Sequence, residues 1–225
     1  MKKLIGAITI GQSPRVDATP EMMAVMPPNT ELIEAGALDG LSRATIDTFA
    51  PQEGEYVLVS RLRDGDHVVF AKRHILPRLQ ACIEELENKG AAVIVFICTG
   101  EFPADFTCRV PLIYPQKLLH AVTPTLCHRG RVGVLMPEAA QIPQGKARWG
   151  EMMSFAAVDS ANPYHGDLAE VAEAALRLKA QDVDLIVLDC IGYTEAMRQA
   201  AAEATGLPVI LPRTLVGRIL AEMIG

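Results

Sequence analysis

Two cysteines stand in matching phrases, "VIVFICTGEF" with Cys98 and "LIVLDCIGYT" with Cys190, each closing an apolar run two residues before a glycine. A thiol has a reference pKa of about 8.5, low enough for a nearby helix N-terminus to turn it into a working base. Cys190 has such a helix, whose pattern opens near Thr194. In each turn the residues after the sulfur, Thr99 and Gly100 or Ile191 and Gly192, can present backbone N–H groups to a carboxylate beside the thiol. Two thiols on opposite faces of one α-carbon suit two-base racemisation, one removing the proton as thiolate and the other returning it. That chemistry requires no cofactor. A strand-end cysteine taken singly is more often a small buried hydrophobe. Cys82, on the apolar face of a helix, is read that way, and Cys108 and Cys127 lack the context of the pair.

Other residues can support the thiols. In the first-strand loop "GQSPR", Gln12 and Ser13 can hydrogen-bond a carboxylate and Arg15 can hold one bidentately. The plainer alternative makes Ser13-Pro14 turn chemistry and Arg15 a solvated charge. Glu101 and Asp189 flank the thiols; Asp189 either tunes Cys190 or pairs with a local donor. Tyr193 is expected to line the substrate cleft. Tyr164 and His165, in "NPYH", can reach substrate from a loop, although a loop histidine usually faces solvent. Arg61, Arg63 and Lys72 are expected to solubilise an exposed ribbon rather than bind an anion.

The elements that position these residues follow from the rhythm of the chain. Short Val-, Ile- and Leu-rich runs at 4–10, 31–38, 56–60, 93–98, 112–114, 132–136, 155–159, 185–190 and 209–211 lie mostly between helical patterns. This is the mark of parallel sheets covered on both faces. Helices are expected at 74–89, stopped by Gly90, at 168–180 behind an Asp167 cap with Glu170 three later, from about Thr194, and over 214–224. Asp64-Gly65 between two β-rich runs reads as a hairpin inserted into this alternation.

The halves also repeat. "LIGAITI" resembles "RVGVLMP", aligning Gly6 with Gly133, and "VPLIYPQKLL" resembles "LPVILPRTLV", aligning Pro111 and Pro115 with Pro208 and Pro212. Three blocks in the same order predict an α/β fold of two Rossmann-like lobes with mainly parallel sheets, related by a pseudo-twofold. The expected lobes are 1–114 plus 212–225 and 115–211, with the site between them at the carboxyl ends of the strands.

Composition narrows the function. The chain has 225 residues, half of them apolar, enough for a substantial core. A net charge of −6, few aromatics and no basic run argue against a nucleic-acid partner. No apolar stretch approaches the roughly 20 residues of a membrane helix. The N-terminal "MKKLIGAITIGQSPR" reads as a first strand, because glycines and then Gln12, Ser13 and Arg15 interrupt it. Five cysteines without C-x-x-C spacing suggest reduced thiols and a cytoplasmic location. There is no G-x-G-x-x-G after a strand, no phosphate-binding G-x-x-x-x-G-K-[ST], no H-E-x-x-H and no metal-type cluster. A small carboxylate is the expected partner, and a homo-oligomer is left open.

"TIGQSPRVD", "RLRDGDHVVFAKRHILPRLQ", "VLDCIGY" and the terminal "LPVIL" resemble the AroM family along nearly the whole chain. That family is similar to the aspartate/glutamate racemase superfamily, which includes amino-acid and hydantoin racemases, maleate isomerase and arylmalonate decarboxylase. The resemblance implies the bilobal fold and cofactor-independent thiol chemistry. The turn "DCIGY" is closer to the C-x-G turn of hydantoin racemases than to the Cys-Thr pairs of amino-acid racemases. The leading expectation is therefore a racemase or isomerase of a small carboxylate or its cyclic derivative. Its alternatives are a single-cysteine isomerase or decarboxylase and a non-catalytic carboxylate-binding protein.

Overall fold

Strands with every side chain buried need cover on both faces, and the two central strands are of this kind: Val93–Phe96 and Leu185–Leu188 have no exposed residue. The computed structural model describes residues 2–103, 105–165 and 167–225. The chain divides into two compact units, Met1–Pro115 with Val216–Gly225, and Gln116–Leu215.

The first unit carries β1 (Lys3–Thr9), α1 (Thr19–Met23), β2 (Thr30–Gly36), α2 (Arg43–Asp47), β3 (Val57–Arg61), β4 (His67–Ala71), α3 (Leu76–Asn88), β5 (Val93–Phe96) and β6 (Leu112–Ile113). Four of these strands form a parallel sheet in the order β2-β1-β5-β6. Leu79, Cys82, Ile83 and Leu86 of α3 face β1 and β2, and Gly90, at φ 89°, ends the helical stretch. β3 and β4 form the separate antiparallel hairpin, with Gly65 in its loop at φ 100°. Leu58, Val68 and Phe70 of the hairpin join the same core as Ile8, Ile94 and Phe96. The ribbon expected to lie exposed is therefore anchored by one apolar face.

The second unit follows α4 (Pro115–Leu126), the helix at whose first residue the boundary falls, with β7 (Arg131–Met136), α5 (Ile142–Gly150), β8 (Phe155–Ser160), α6 (Leu168–Lys179), β9 (Leu185–Leu188), α7 (Glu195–Thr205) and β10 (Val209–Ile210). Its parallel sheet has the order β10-β9-β7-β8, the arrangement of the first unit strand for strand. The register agrees as well. Ile8 pairs with Phe96 and Leu135 with Leu188; Ile97 N–H donates to Ile8 O at 2.7 Å and Asp189 N–H to Leu135 O at 2.8 Å. The N-cap Asp167 accepts from Ala169 and Glu170 N–H at 2.9 and 3.2 Å, and Thr194 caps α7.

A last helix, α8 (Pro212–Ile224), begins in the second unit and returns the chain to the first. There Val216 and Leu220 are fully buried, and a Cβ on Gly217 would lie 2.7 Å from Val25 Cγ2 and 3.1 Å from Met22 O, so α8 rests closely on the α1 segment. Lys3 Nζ donates to the carbonyls of Ile224 and Gly225. Among the described residues no helix is long and apolar enough to cross a membrane.

Candidate active site

Both strands expected to run to their cysteines stop short of them. β5 ends at Phe96 and β9 at Leu188, so Cys98 and Cys190 each lie two residues beyond a central strand, in a turn. The turns have the same internal geometry: Gly100 N–H points at Cys98 Sγ at 3.2 Å, and Gly192 N–H at Cys190 Sγ at 3.3 Å. A backbone donor aimed at sulfur favours the thiolate over the thiol. Cys98 is half-buried and Cys190 is 8% exposed; none of the five cysteines is in a disulfide.

Around Cys98 the hairpin does the bracing. A Cβ on Gly100 would lie 2.8 Å from Leu58 Cδ2 of β3, so glycine lets the turn approach the ribbon. Beyond it, Glu101 N–H donates to Tyr56 Oη at 3.0 Å, Lys72 Nζ donates to Glu101 O at 3.1 Å, and Phe102 stacks on Phe96 with centroids 5.0 Å apart. Thr99 is buried. The hairpin also holds the first-strand loop. Gln12 N–H donates to Arg61 O at 3.4 Å, Arg63 N–H donates to Gln12 Oε1 at 2.9 Å, and the Arg63 guanidinium donates to Ser13 O at 2.8 and 2.6 Å. Arg63 and Lys72, read as solubilising charges, are ties between the ribbon and two loops at the carboxyl ends of β1 and β5.

The "GQSPR" side chains divide. Ser13 gives both its hydroxyl and its N–H to Asp39, at 2.5 and 2.9 Å. Gln12 has its carbonyl oxygen committed to Arg63, while its side-chain NH2 has no partner among the described residues. Arg15 is neither a solvated charge nor an open fork. It is 2% exposed and binds Asp17 through Nε and Nη2 at 2.8 and 2.7 Å, with Nη1 on Thr9 Oγ1 at 3.2 Å. Burial raises the Asp17 carboxyl, but hydrogen bonds and charge from Arg15 outweigh it and leave the group below its ordinary value.

The second turn is fixed from beneath. Arg213, fully buried, donates from Nε and Nη2 to Ile191 O at 3.0 and 2.8 Å and from Nη2 to Gly192 O at 2.8 Å. This residue was not legible as functional; the only signal is that the repeat aligns it with uncharged Gln116. Asp189 turns to local donors, accepting from Trp149 Nε1 at 2.8 Å and pairing with Arg148, all three residues at most 8% exposed. Tyr193, expected to line a cleft, is instead fully buried. Its hydroxyl lies 2.9 Å from Met136 O and 2.6 Å from Ala161 O, tying the ends of β7 and β8. Burial first, then Cys190 and Asp189, push its phenol well above the ordinary tyrosine value. Tyr193→Phe is expected to cost about 1–2 kcal/mol in a denaturant titration through the lost buried bond. A cost near zero would show that the hydroxyl does not tie the two strands in solution.

Tyr164 reaches a thiol, its Oη 3.8 Å from Cys190 Sγ, while His165 is exposed. Burial pushes the Cys82 thiol up to about 11 and also raises Cys108 and Cys127. Among the described residues no group of three or more His, Cys, Asp or Glu side chains is placed to hold a metal ion.

The sequence profile of the AroM protein family matches residues 5–224. No curated protein matches the chain by sequence. Among solved structures, allantoin racemase from Klebsiella pneumoniae aligns with a TM-score of 0.65 at 15% identity, over 99% of this chain and 88% of its own. Maleate isomerase Iso from Pseudomonas putida S16 aligns at 0.65 and 13% identity over 100% and 93%. Arylmalonate decarboxylase aligns at 0.60 and 17% identity over 98% and 91%. At such identities the likeness is one of fold.

Proposed function

The chain belongs to the AroM family, and on that footing we propose that it is a cofactor-independent racemase or isomerase of a small carboxylate or its cyclic derivative. In this reading Cys98 and Cys190 work as a proton-transfer pair. One sulfur, as thiolate, takes the proton from the carbon beside a carbonyl, leaving the electron pair delocalised as an enolate. The other, as thiol, returns a proton to that carbon. The two thiols exchange protonation states and nothing is consumed. The Gln12 side-chain NH2 and the backbone of Thr99, Gly100, Ile191 and Gly192 are the groups assigned to the substrate carboxylate. Arg15 and Tyr193 are withdrawn from that role, because internal partners occupy them.

The observation that carries the reading is the duplicated turn, in which a glycine N–H meets a cysteine sulfur at 3.2 Å in one unit and 3.3 Å in the other. The test is proton NMR in deuterated water with amino acids, hydantoins and dicarboxylates. Deuterium should enter the position beside the carbonyl in some member of the panel. Folded protein that exchanges none of them would overturn the proposal. Alkylation supplies a second readout: at neutral pH Cys98 and Cys190 should react faster than Cys82, whose thiol, at about 11, stays protonated. Equal rates would leave the carboxylate-binding alternative.

A further inference from the structure

We propose that Tyr164 is a positioning residue for Cys190, its phenol hydrogen directed at the sulfur when that sulfur is a thiolate. The inference deepens the proposed function and rests on its use of Cys190 as a working thiol.

The approach of Tyr164 is built by the chain around it. After β8 the backbone turns at Asn162, whose Oδ1 accepts Tyr164 N–H at 2.8 Å. Asn162 is itself 7% exposed and held twice: its Nδ2 donates to Glu138 Oε1 at 2.6 Å and its N–H to Glu170 Oε1, on α6, at 3.2 Å. The ring then lies against the cysteine turn. A Cβ on Gly192 would meet Pro163 Cγ, Tyr164 Cε1 and Tyr164 Cζ, each at 3.0 Å. Glycine is thus what allows the ring to close on the turn and bring Oη to 3.8 Å from Sγ. Together with Gly192 N–H at 3.3 Å, the sulfur has a main-chain donor and a phenol within hydrogen-bond reach, from two different loops.

The other charged or titratable groups near the thiol have their own engagements. Asp189 is held by Arg148 and Trp149, Tyr193 gives its hydroxyl to carbonyls, and Arg213 binds the turn's carbonyls from beneath. Glu138 and Glu170 act on Asn162. Tyr164 offers a neutral, removable donor, and a donor to a thiolate stabilises it relative to the thiol.

The test is residue-resolved alkylation of the full chain across pH, read by mass spectrometry, with Cys82 as internal reference. Tyr164→Phe keeps the ring on Gly192 and removes only the hydroxyl. It is expected to move the Cys190 midpoint upward by about one pH unit, the size of a charge-assisted hydrogen bond, and to leave Cys98 and Cys82 where they were. Tyr164→Leu, which removes the ring too, should move it at least as far. An unmoved Cys190 midpoint in both variants overturns the proposal, as does an equal shift at Cys98. The readout needs no substrate, so it separates the two hypotheses. A wild-type protein that exchanges deuterium but ignores Tyr164→Phe keeps the function and loses this role. One that exchanges nothing yet shows the shift loses the function alone.

Discussion

Cys190→Ser is expected to slow deuterium incorporation by about 10²- to 10⁴-fold, the range of a lost general acid or base, with the folded state intact. Serine fills nearly the same volume and keeps an acceptor for Gly192 N–H, which lies 3.3 Å from the sulfur it replaces. A hydroxyl, however, does not ionise near neutral pH, so the turn keeps its shape and loses its base. Circular dichroism and a denaturant midpoint within about 1 kcal/mol of wild type would certify the fold, and exchange NMR would read the chemistry. Exchange within tenfold of wild type would contradict a proton-transfer role. Cys98→Ser sorts the mechanisms: a loss of similar size supports the pair, and near-normal exchange leaves Cys190 as a single working thiol.

The largest stability effect should fall one residue earlier. Asp189→Ala is expected to cost about 3–5 kcal/mol, because it leaves the Arg148 guanidinium without its carboxylate in the interior. Asp189 and Arg148 are 2% and 8% exposed, and Trp149, whose indole N–H also loses its acceptor, is fully buried. Water cannot replace the missing carboxylate cheaply at such a site. Asp189→Asn, which still accepts from the indole, should cost less. Urea titrations of the two variants give the comparison; a change under about 1 kcal/mol for the alanine variant would show that the cluster is not a buried ion pair in solution.

Much of the scaffold was readable because it repeats and because parallel strands leave an apolar imprint. The runs ending at Cys98 and Cys190, the helices α3, α6 and α7, and the hairpin all have local causes: a buried stripe, an Asp or Thr cap, a Gly stop. What escaped depends on tertiary partners. α5, "IPQGKARWG", carries Pro143 and Gly145 and is not among the expected helices, yet Arg148 and Trp149 dock it onto Asp189. α4 escaped for a related reason, with Pro124 inside it. Arg15 gave no hint of burial except Asp17 two residues on, the carboxylate it binds. Tyr193 and Tyr164 look alike in sequence, both beside glycines or prolines in loops; only the fold decides that one ties two strands and the other meets a sulfur.

The return of α8 has a consequence for how the protein is made. The second unit is one uninterrupted stretch, Gln116–Leu215, whereas the first is finished only by Val216–Gly225. On a ribosome the first unit emerges early, but the surface that Val216 and Leu220 cover stays open until those residues have also emerged. The unit begun first is thus completed no earlier than the second. A released chain ending at Leu215 should have a second unit that resists protease while the first is cut.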